Sequence, residues 1–373
     1  MKKIFHIHTD SKFLHDSDKY VSQSFENKII FVGDKEDVKK DYGDSILFFP
    51  RQDRSISLII EAVKDADLII LNELDTFKTK LLEQLPPDKK IFLRLFGYEL
   101  YYLKRDGFIS NETRKSFFPI RKEQSIIRNF KNLIHQYFQK PMKFDTEKQR
   151  NIFRKIDRIL LVNKFEYDGL GKYFYLPEFL KIPILNEHRH LNLDTPKKNL
   201  ILIGNSKHYW NNHIDILKML RRVNSISNYQ LFLFFNYGPE GDYTQKVRKL
   251  SKSFDYLTFQ EEFLSMPDFI KAYSEASALV INSYRQHALG NIFTAIFSGC
   301  KIYLNKRSST YNWMKANNFI ISEVSELKDD IKRGNIGLSK NEMEHNVKIY
   351  RKLTEEYSQK DFIKAVESIL DND

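Results

Sequence analysis

The sequence predicts an α/β protein built from two doubly wound halves in tandem. Three observations lead there. The chain has 373 residues, too many for one ordinary core and comfortable as two domains of roughly 150 to 190 residues. Short runs of β-branched and aromatic residues recur, each followed by a longer amphipathic stretch. That rhythm stops near residue 190 and then starts again.

In the first half the predicted strands are Lys3–His8, Lys28–Gly33, Ser45–Phe49, Asp67–Leu71, Lys90–Phe96 and Ile156–Asn163. Several are near-continuous apolar runs, the pattern of strands buried on both faces of a parallel sheet. In the second half they are Asn199–Gly204, Gln230–Asn236, Ala278–Asn282 and Lys301–Asn305. Between the halves, the polar stretch 185–198 carries Pro196 and reads as the linker. The predicted domains are therefore 1–190 and 191–373, facing one another across a cleft. Beyond Asn341, Met343, Val347, Tyr350, Leu353 and Tyr357 fall at spacings of three and four. They predict a final helix that packs back across both halves.

Composition narrows the function. With 42% hydrophobic and 29% charged residues, the chain is too apolar to be disordered. A single cysteine, Cys300, excludes an intrachain disulfide and a cysteine-based zinc or iron-sulfur site. The start, with His6 and His8 interrupting its apolar residues, does not read as a secretory signal, and no run approaches the ~20 apolar residues of a spanning helix. The expected location is the cytoplasm, or the cytoplasmic face of a membrane. The net charge of +11 suits nucleic acid, an anionic lipid surface or a phosphorylated substrate. No RNA-recognition, helix-turn-helix or zinc-finger signature accompanies that charge, so nucleic acid is not the expected partner.

Ligands of open α/β sheets sit beyond the carboxyl ends of the strands. In the second half, a strand runs straight into Gly204, Asn205 and Ser206. A glycine there permits close backbone approach, and the two polar side chains suit a phosphate or a sugar. A second strand ends at Asn282 and leads through Arg285, Gln286 and His287 to Gly290 and Asn291, which open a helix. A guanidinium fork beside a helix N-terminus makes a cradle for a diphosphate. In the first half, the loop after the first strand offers Asp10 and His15, and the loop after the fifth offers Glu99. Each is a candidate base for the hydroxyl of an acceptor.

Together these pieces resemble the donor half of GT-B glycosyltransferases. More narrowly they resemble the TDP-N-acetylfucosamine:lipid II N-acetylfucosaminyltransferase family (glycosyltransferase family 56). The residues that carry the resemblance are Ile203-Gly204-Asn205-Ser206, Asn212-His213-Ile214, Tyr237-Gly238, Arg285-Gln286 with Gly290, and Leu304-Asn305 with Trp313. In the first half, Phe96-Gly97-Tyr98-Glu99-Leu100-Tyr101 and Phe118-Pro119-Ile120-Arg121 resemble that family's Trp-Gly-Ala-Asp-Leu-Tyr and Tyr-Pro-Leu-Arg segments. One feature departs from many retaining GT-B enzymes: where they carry two glutamates eight positions apart, this chain has Arg285 and Phe293.

The resemblance implies two Rossmann-like domains and a hexosyltransferase activity. It places the acceptor site in the first domain, with Glu99 ranked before Asp10 and His15 as the base. Gly204, Asn205, Ser206, Tyr237, Arg285, Gln286, Gly290 and Asn291 would hold the donor. That donor is expected to be a dTDP-sugar such as 4-acetamido-4,6-dideoxygalactose, with UDP as the other nucleotide. The acceptor is expected to be an undecaprenyl-diphosphate-linked glycan of a surface polysaccharide, enterobacterial common antigen or an O-antigen or capsule. No cofactor and no metal are expected, because a GT-B enzyme neutralises its leaving diphosphate with a cation and a helix start.

A lipid-linked acceptor lies at a membrane, and one segment suits that setting. Between Tyr101 and Lys143 ten lysines and arginines stand against three acids. Ile126, Ile127, Phe130, Leu133, Ile134, Tyr137 and Phe138 fall on one helical face. With Arg121, Lys122, Arg128 and Lys131 nearby, this face is expected to lie on the anionic inner-membrane surface. A nucleic-acid-binding protein and an inactive sugar-nucleotide scaffold are the competing readings.

Overall fold

The structure, a computed structural model, describes residues 1–11, 14, 24–38, 46–118, 125–129, 131, 146–184 and 193–371. Of the predicted functional residues, His15, Arg121 and Lys122 lie outside the described residues, as does most of the predicted linker.

Two parallel sheets make up the fold. The first has seven strands: β1 (Lys3–His8), β2 (Glu26–Val32), β3 (Ile46–Phe49), β4 (Leu68–Asn72), β5 (Ile91–Arg94), β6 (Arg158–Leu161) and β7 (Glu178–Lys181), in the order β3-β2-β1-β4-β5-β6-β7. The second has six: β8 (Lys198–Ile203), β9 (Gln230–Phe234), β10 (Leu257–Gln260), β11 (Ala276–Ile281), β12 (Lys301–Leu304) and β13 (Ser322–Glu323), in the order β10-β9-β8-β11-β12-β13. Each sheet is doubly wound from its first strand, so β1/β4 and β8/β11 are the switch points where the strand order reverses. At those points crossovers leave in opposite directions and open a crevice beyond the carboxyl ends.

All ten strands predicted from apolar runs are present. The three not predicted, β7, β10 and β13, end their sheets or hold only two residues, and their burial is partial. Half-buried edge strands carry no continuous apolar run to read.

The chain folds into two compact units, each made of separated segments. One comprises 1–103, 144–185 and 353–373, and the other 104–143 and 186–352. The end of the chain is two helices, Lys340–Glu356 and Gln359–Asp371. In the second unit, Tyr350 packs edge-on against Phe293 at 5.0 Å and Phe297 at 4.9 Å. In the first unit, Phe362 and Val366 are buried against Ile4, Leu68, Phe92 and Leu160 of the sheet. Phe362 alone contributes about 1.5–3 kcal/mol by leaving water.

Residues 104–118 are bound into the second unit although the first unit's chain flanks them. Ser110 N–H donates to Asn212 Oδ1 at 2.8 Å, Ser110 Oγ donates to Asp215, and Lys218 pairs with Glu112. Phe117 meets Tyr209 edge-on at 5.1 Å. The front of the basic segment is thus part of a packed unit. Its described continuation exposes Ile126 (87%) and Ile127 (71%).

Candidate active site

In the first unit the β1/β4 switch point is a charged, hydrogen-bonded network. β4 ends at Asn72, and the next residue, Glu73, sits in the left-handed region at φ 63°, which a glutamate enters at a cost of about 1 kcal/mol or more. Its side chain holds it there. Oε2 accepts from the Tyr98 hydroxyl at 2.5 Å, and Oε1 lies 2.5 Å from Thr9 Oγ1 and 3.2 Å from Lys78 Nζ. Lys78 is fully buried and donates as well to Thr9 Oγ1 at 2.8 Å and to the carbonyl of Asn72 at 2.5 Å. Burial lowers the pKa of this ammonium, and Glu73 and Asp75 work against that. Asp75 caps helix Thr76–Gln84 by accepting from the N–H of Lys78 at 2.8 Å, and it takes Arg51 at 2.7 Å.

Glu99 stands beside this network, in a single helical turn (Tyr98–Tyr101) that Gly97 opens at φ 87°. Glycine is needed there, because a Cβ would lie 2.7 Å from the Tyr101 ring and 3.0 Å from Glu166 Oε1. Glu99 Oε1 accepts from the N–H of Phe96 at 3.2 Å. Its Oε2 is buried and has no hydrogen-bond partner among the described residues. Burial first, with Glu73 adding repulsion, raises the Glu99 carboxyl to about 7. A buried carboxylate whose proton affinity lies near neutrality has the titration a general base requires. Asp10 is exposed on the loop after β1. Thr9 joins the network. Sequence reasoning missed Glu73, Lys78, Thr9 and the Tyr98 hydroxyl, although a carboxylate directly after a strand was a legible sign.

In the second unit the β8/β11 crevice is lined by amides. Gly204 N–H donates to Val280 O at 2.9 Å, tying the two strand ends together. Asn212 Nδ2 donates to Asn282 O at 2.9 Å, and Asn305 Nδ2 donates to Asn282 Oδ1 at 2.8 Å. The space that Gly204 leaves at φ 67° is taken by His213, whose Nε2 would be 2.4 Å from a Cβ. Burial pushes that imidazole down to about 3, so it is neutral, and its Nδ1 lies 2.8 Å from the Tyr243 hydroxyl. Asn205 donates to the Tyr237 hydroxyl at 2.9 Å, and Ser206 is buried beside Asn211, whose amide donates to its carbonyl at 3.0 Å.

Arg285 follows β11. Its guanidinium lies over the Trp210 ring at 5.3 Å, with Nη1 donating to Gln286 O at 3.0 Å and Nη2 lying 3.0 Å from His287 Nδ1. The helix Leu289–Phe297 begins after Ala288, which is left-handed at φ 58° and gives no side-chain cap. Gly290 in its first turn is exposed, with open space where a Cβ would stand, so the positive end of this helix is open on that side. Asn291 points elsewhere, donating to the Tyr273 hydroxyl at 2.8 Å. The structure therefore brings Gly204, Asn205, Ser206, Tyr237, Arg285 and Gln286 to the strand ends, sets Gly290 at an open helix start, and commits the Asn291 side chain to the core.

Among the described residues no group of three or more His, Cys, Asp or Glu side chains is arranged to hold a metal ion, and no helix is long and apolar enough to cross a membrane.

No protein-family model and no curated protein matches the chain. Solved structures do. Sucrose-phosphate synthase from Thermosynechococcus elongatus aligns at TM-score 0.66 and 12% identity, with all of both chains covered. HepE of Anabaena, in complex with UDP and glucose, aligns over all of both chains at TM-score 0.63 and 10% identity. The apo form of the lipopolysaccharide outer core galactosyltransferase WaaB aligns over 99% of each chain at TM-score 0.58 and 12% identity. At such identities the likeness speaks for the fold, and it agrees with the strand orders: this chain has the GT-B architecture of two Rossmann-like parallel sheets.

Proposed function

We propose that this chain is a glycosyltransferase that takes a sugar from a nucleotide-diphosphate donor held by the second unit and passes it to an acceptor hydroxyl activated by Glu99 of the first. The observation that carries the reading is the division of chemistry between the two switch points. The β8/β11 crevice offers amides, a guanidinium and an open helix start, which suit a diphosphate and stabilise it as a leaving group. The β1/β4 crevice offers a carboxylate whose proton affinity is raised to about 7. The acceptor oxygen attacks the anomeric carbon, the diphosphate leaves with the bonding electrons, and the hydroxyl proton passes to Glu99.

The donor reading is supported by HepE, a structural neighbour that binds UDP and glucose. For this chain we favour a dTDP-linked deoxy-amino hexose, on the segment resemblances around Gly204, Arg285 and Glu99. We favour a lipid-diphosphate-linked glycan as acceptor. Exposed Ile126 and Ile127 beside Arg128 and Lys131 support peripheral docking at an anionic membrane.

A thermal-shift comparison of dTDP, UDP, GDP and CMP tests the reading. A nucleotide at 100 times its Kd stabilises the protein by about 2.7 kcal/mol, and dTDP or UDP is expected to do so. If none of the four moves the transition, the donor assignment is lost. Hydrolysis of a dTDP- or UDP-sugar, or transfer from it, then separates an enzyme from an inactive scaffold.

A further inference from the structure

We propose that Glu73 is a positioning residue for Glu99, acting through Tyr98. The inference rests on the reading of Glu99 as the base and goes one residue beyond it. β4 and β5 are neighbours, with Asn72 opposite Arg94. Glu73 continues that pairing by donating its N–H to Arg94 O at 2.9 Å. From there its Oε2 reaches across to the Tyr98 hydroxyl at 2.5 Å. Tyr98 and Glu99 are consecutive in a four-residue helix that begins at Gly97, in the left-handed region. A helix of one turn has little stability of its own, so the anchored phenol decides where the Glu99 carboxylate sits.

The position is expensive, which is the second observation. Glutamate is one of four non-glycine residues at positive φ among those described, and left-handed backbone at a strand end persists only where the surroundings over-determine it. Here they do, since the carboxylate meets Thr9, Lys78 and Tyr98 at once. A glycine would hold the same backbone without strain but would leave Tyr98 without its anchor.

Charge adds a second consequence. The charged groups that interact with Glu99 include Glu73 after β4 and Lys78 of the helix that follows. The Tyr98 phenol, held neutral by burial, is an uncharged neighbour. Glu73 repels the Glu99 carboxylate and so favours its protonated form. Removing that charge leaves Lys78 to favour the ionised form, so the pH at which the base becomes active falls.

The test is steady-state kinetics of the full chain with donor and acceptor between pH 5 and 9. Glu73→Gly relieves the backbone but leaves the buried Lys78 ammonium without its carboxylate, so its fold is checked by circular dichroism first; it is expected to lose about tenfold or more in kcat with KM for the donor unchanged. Glu73→Gln keeps an acceptor for Tyr98 but removes the charge, and its acidic limb of kcat moves to lower pH. Tyr98→Phe keeps the ring in place, copies the kcat loss without moving the limb, and carries the test alone should a Glu73 variant fail to fold. Parental kcat and an unmoved limb in these variants overturn the proposal, as does a limb displaced to higher pH. Loss of turnover in Glu99→Gln alongside unaffected Glu73 and Tyr98 variants rejects the positioning role only. Full turnover in Glu99→Gln rejects the base itself.

Discussion

The two switch points share one topology and hold opposite chemistry. At β1/β4 a buried lysine, two acids, a threonine and a tyrosine satisfy one another, and Glu99 stands at the edge with one carboxylate oxygen left over. At β8/β11 the strand ends are stitched by Asn212, Asn282 and Asn305, and Arg285 follows β11 with its guanidinium over Trp210. An ionic network fixes the proton affinity of its neighbours. A wall of amide dipoles with one guanidinium binds an anion without exchanging protons with it. Gene duplication or convergence aside, a sheet order does not specify a reaction; the side chains at its crevice do.

Several measurements sharpen or break this contrast. The largest effect belongs to Glu99→Gln, expected to cut kcat by about 10² or more while nucleotide binding stays at the parental level. The same change bears on stability, with a definite sign. The folded-state pKa of Glu99 is raised from 4.5 to about 7. Its protonated form is therefore favoured by folding, and the stability this confers is complete below pH 4.5 and lost as pH rises through 7. At pH 8 the ionised, buried carboxylate costs up to about 3 kcal/mol. Glu99→Gln should accordingly melt higher than the parent at pH 8 and no higher at pH 5. A variant with the opposite pH trend would show that folding favours the ionised carboxylate, which counts against it as the base.

Next in size is Gly204→Ala. At φ 67°, with His213 Nε2 at 2.4 Å from the new Cβ, it should destabilise the second unit by about 2–4 kcal/mol in denaturant titration. Gly290→Ala meets nothing and should leave stability within about 1 kcal/mol of the parent, so any loss of nucleotide affinity there reports contact with the helix start. Arg285→Met is expected to weaken dTDP or UDP binding by about 10- to 100-fold by calorimetry. If it lowers kcat instead and leaves affinity alone, the binding crevice and the chemical crevice are not divided as drawn. The smallest effect is that of Arg128→Glu with Lys131→Glu. At about 1 kcal/mol per cation near the surface, flotation with anionic vesicles should fall in the double variant and stay unchanged with neutral vesicles.

Much of this was readable before any coordinates. Strands such as Leu68–Asn72 and Ala276–Ile281 are buried along their whole length, so apart from Asn72 at a carboxyl end, which bonds His8, their residues are apolar or small. Their carboxyl ends, where Gly204, Arg285 and the turn before Glu99 lie, follow from the strand positions alone. Asn291 shows where the reading stopped. Its place at a helix start was evident, but its bond to Tyr273, eighteen residues earlier in the chain, depends on how two helices pack.

By itself, then, the amino-acid order determined two parallel sheets, their restart near residue 199, and the loops where chemistry belongs, because burial on both faces of a strand writes a local and periodic signal. Tertiary structure alone decided that residues 104–118 join the second unit while Phe362 and Val366 return to the first. It also decided that Glu73 closes on Tyr98 and that Glu99 holds its proton near neutrality. Those outcomes depend on partners far apart in the chain and on the exclusion of water around them. Neither partner distance nor dielectric environment is encoded in any short stretch of sequence.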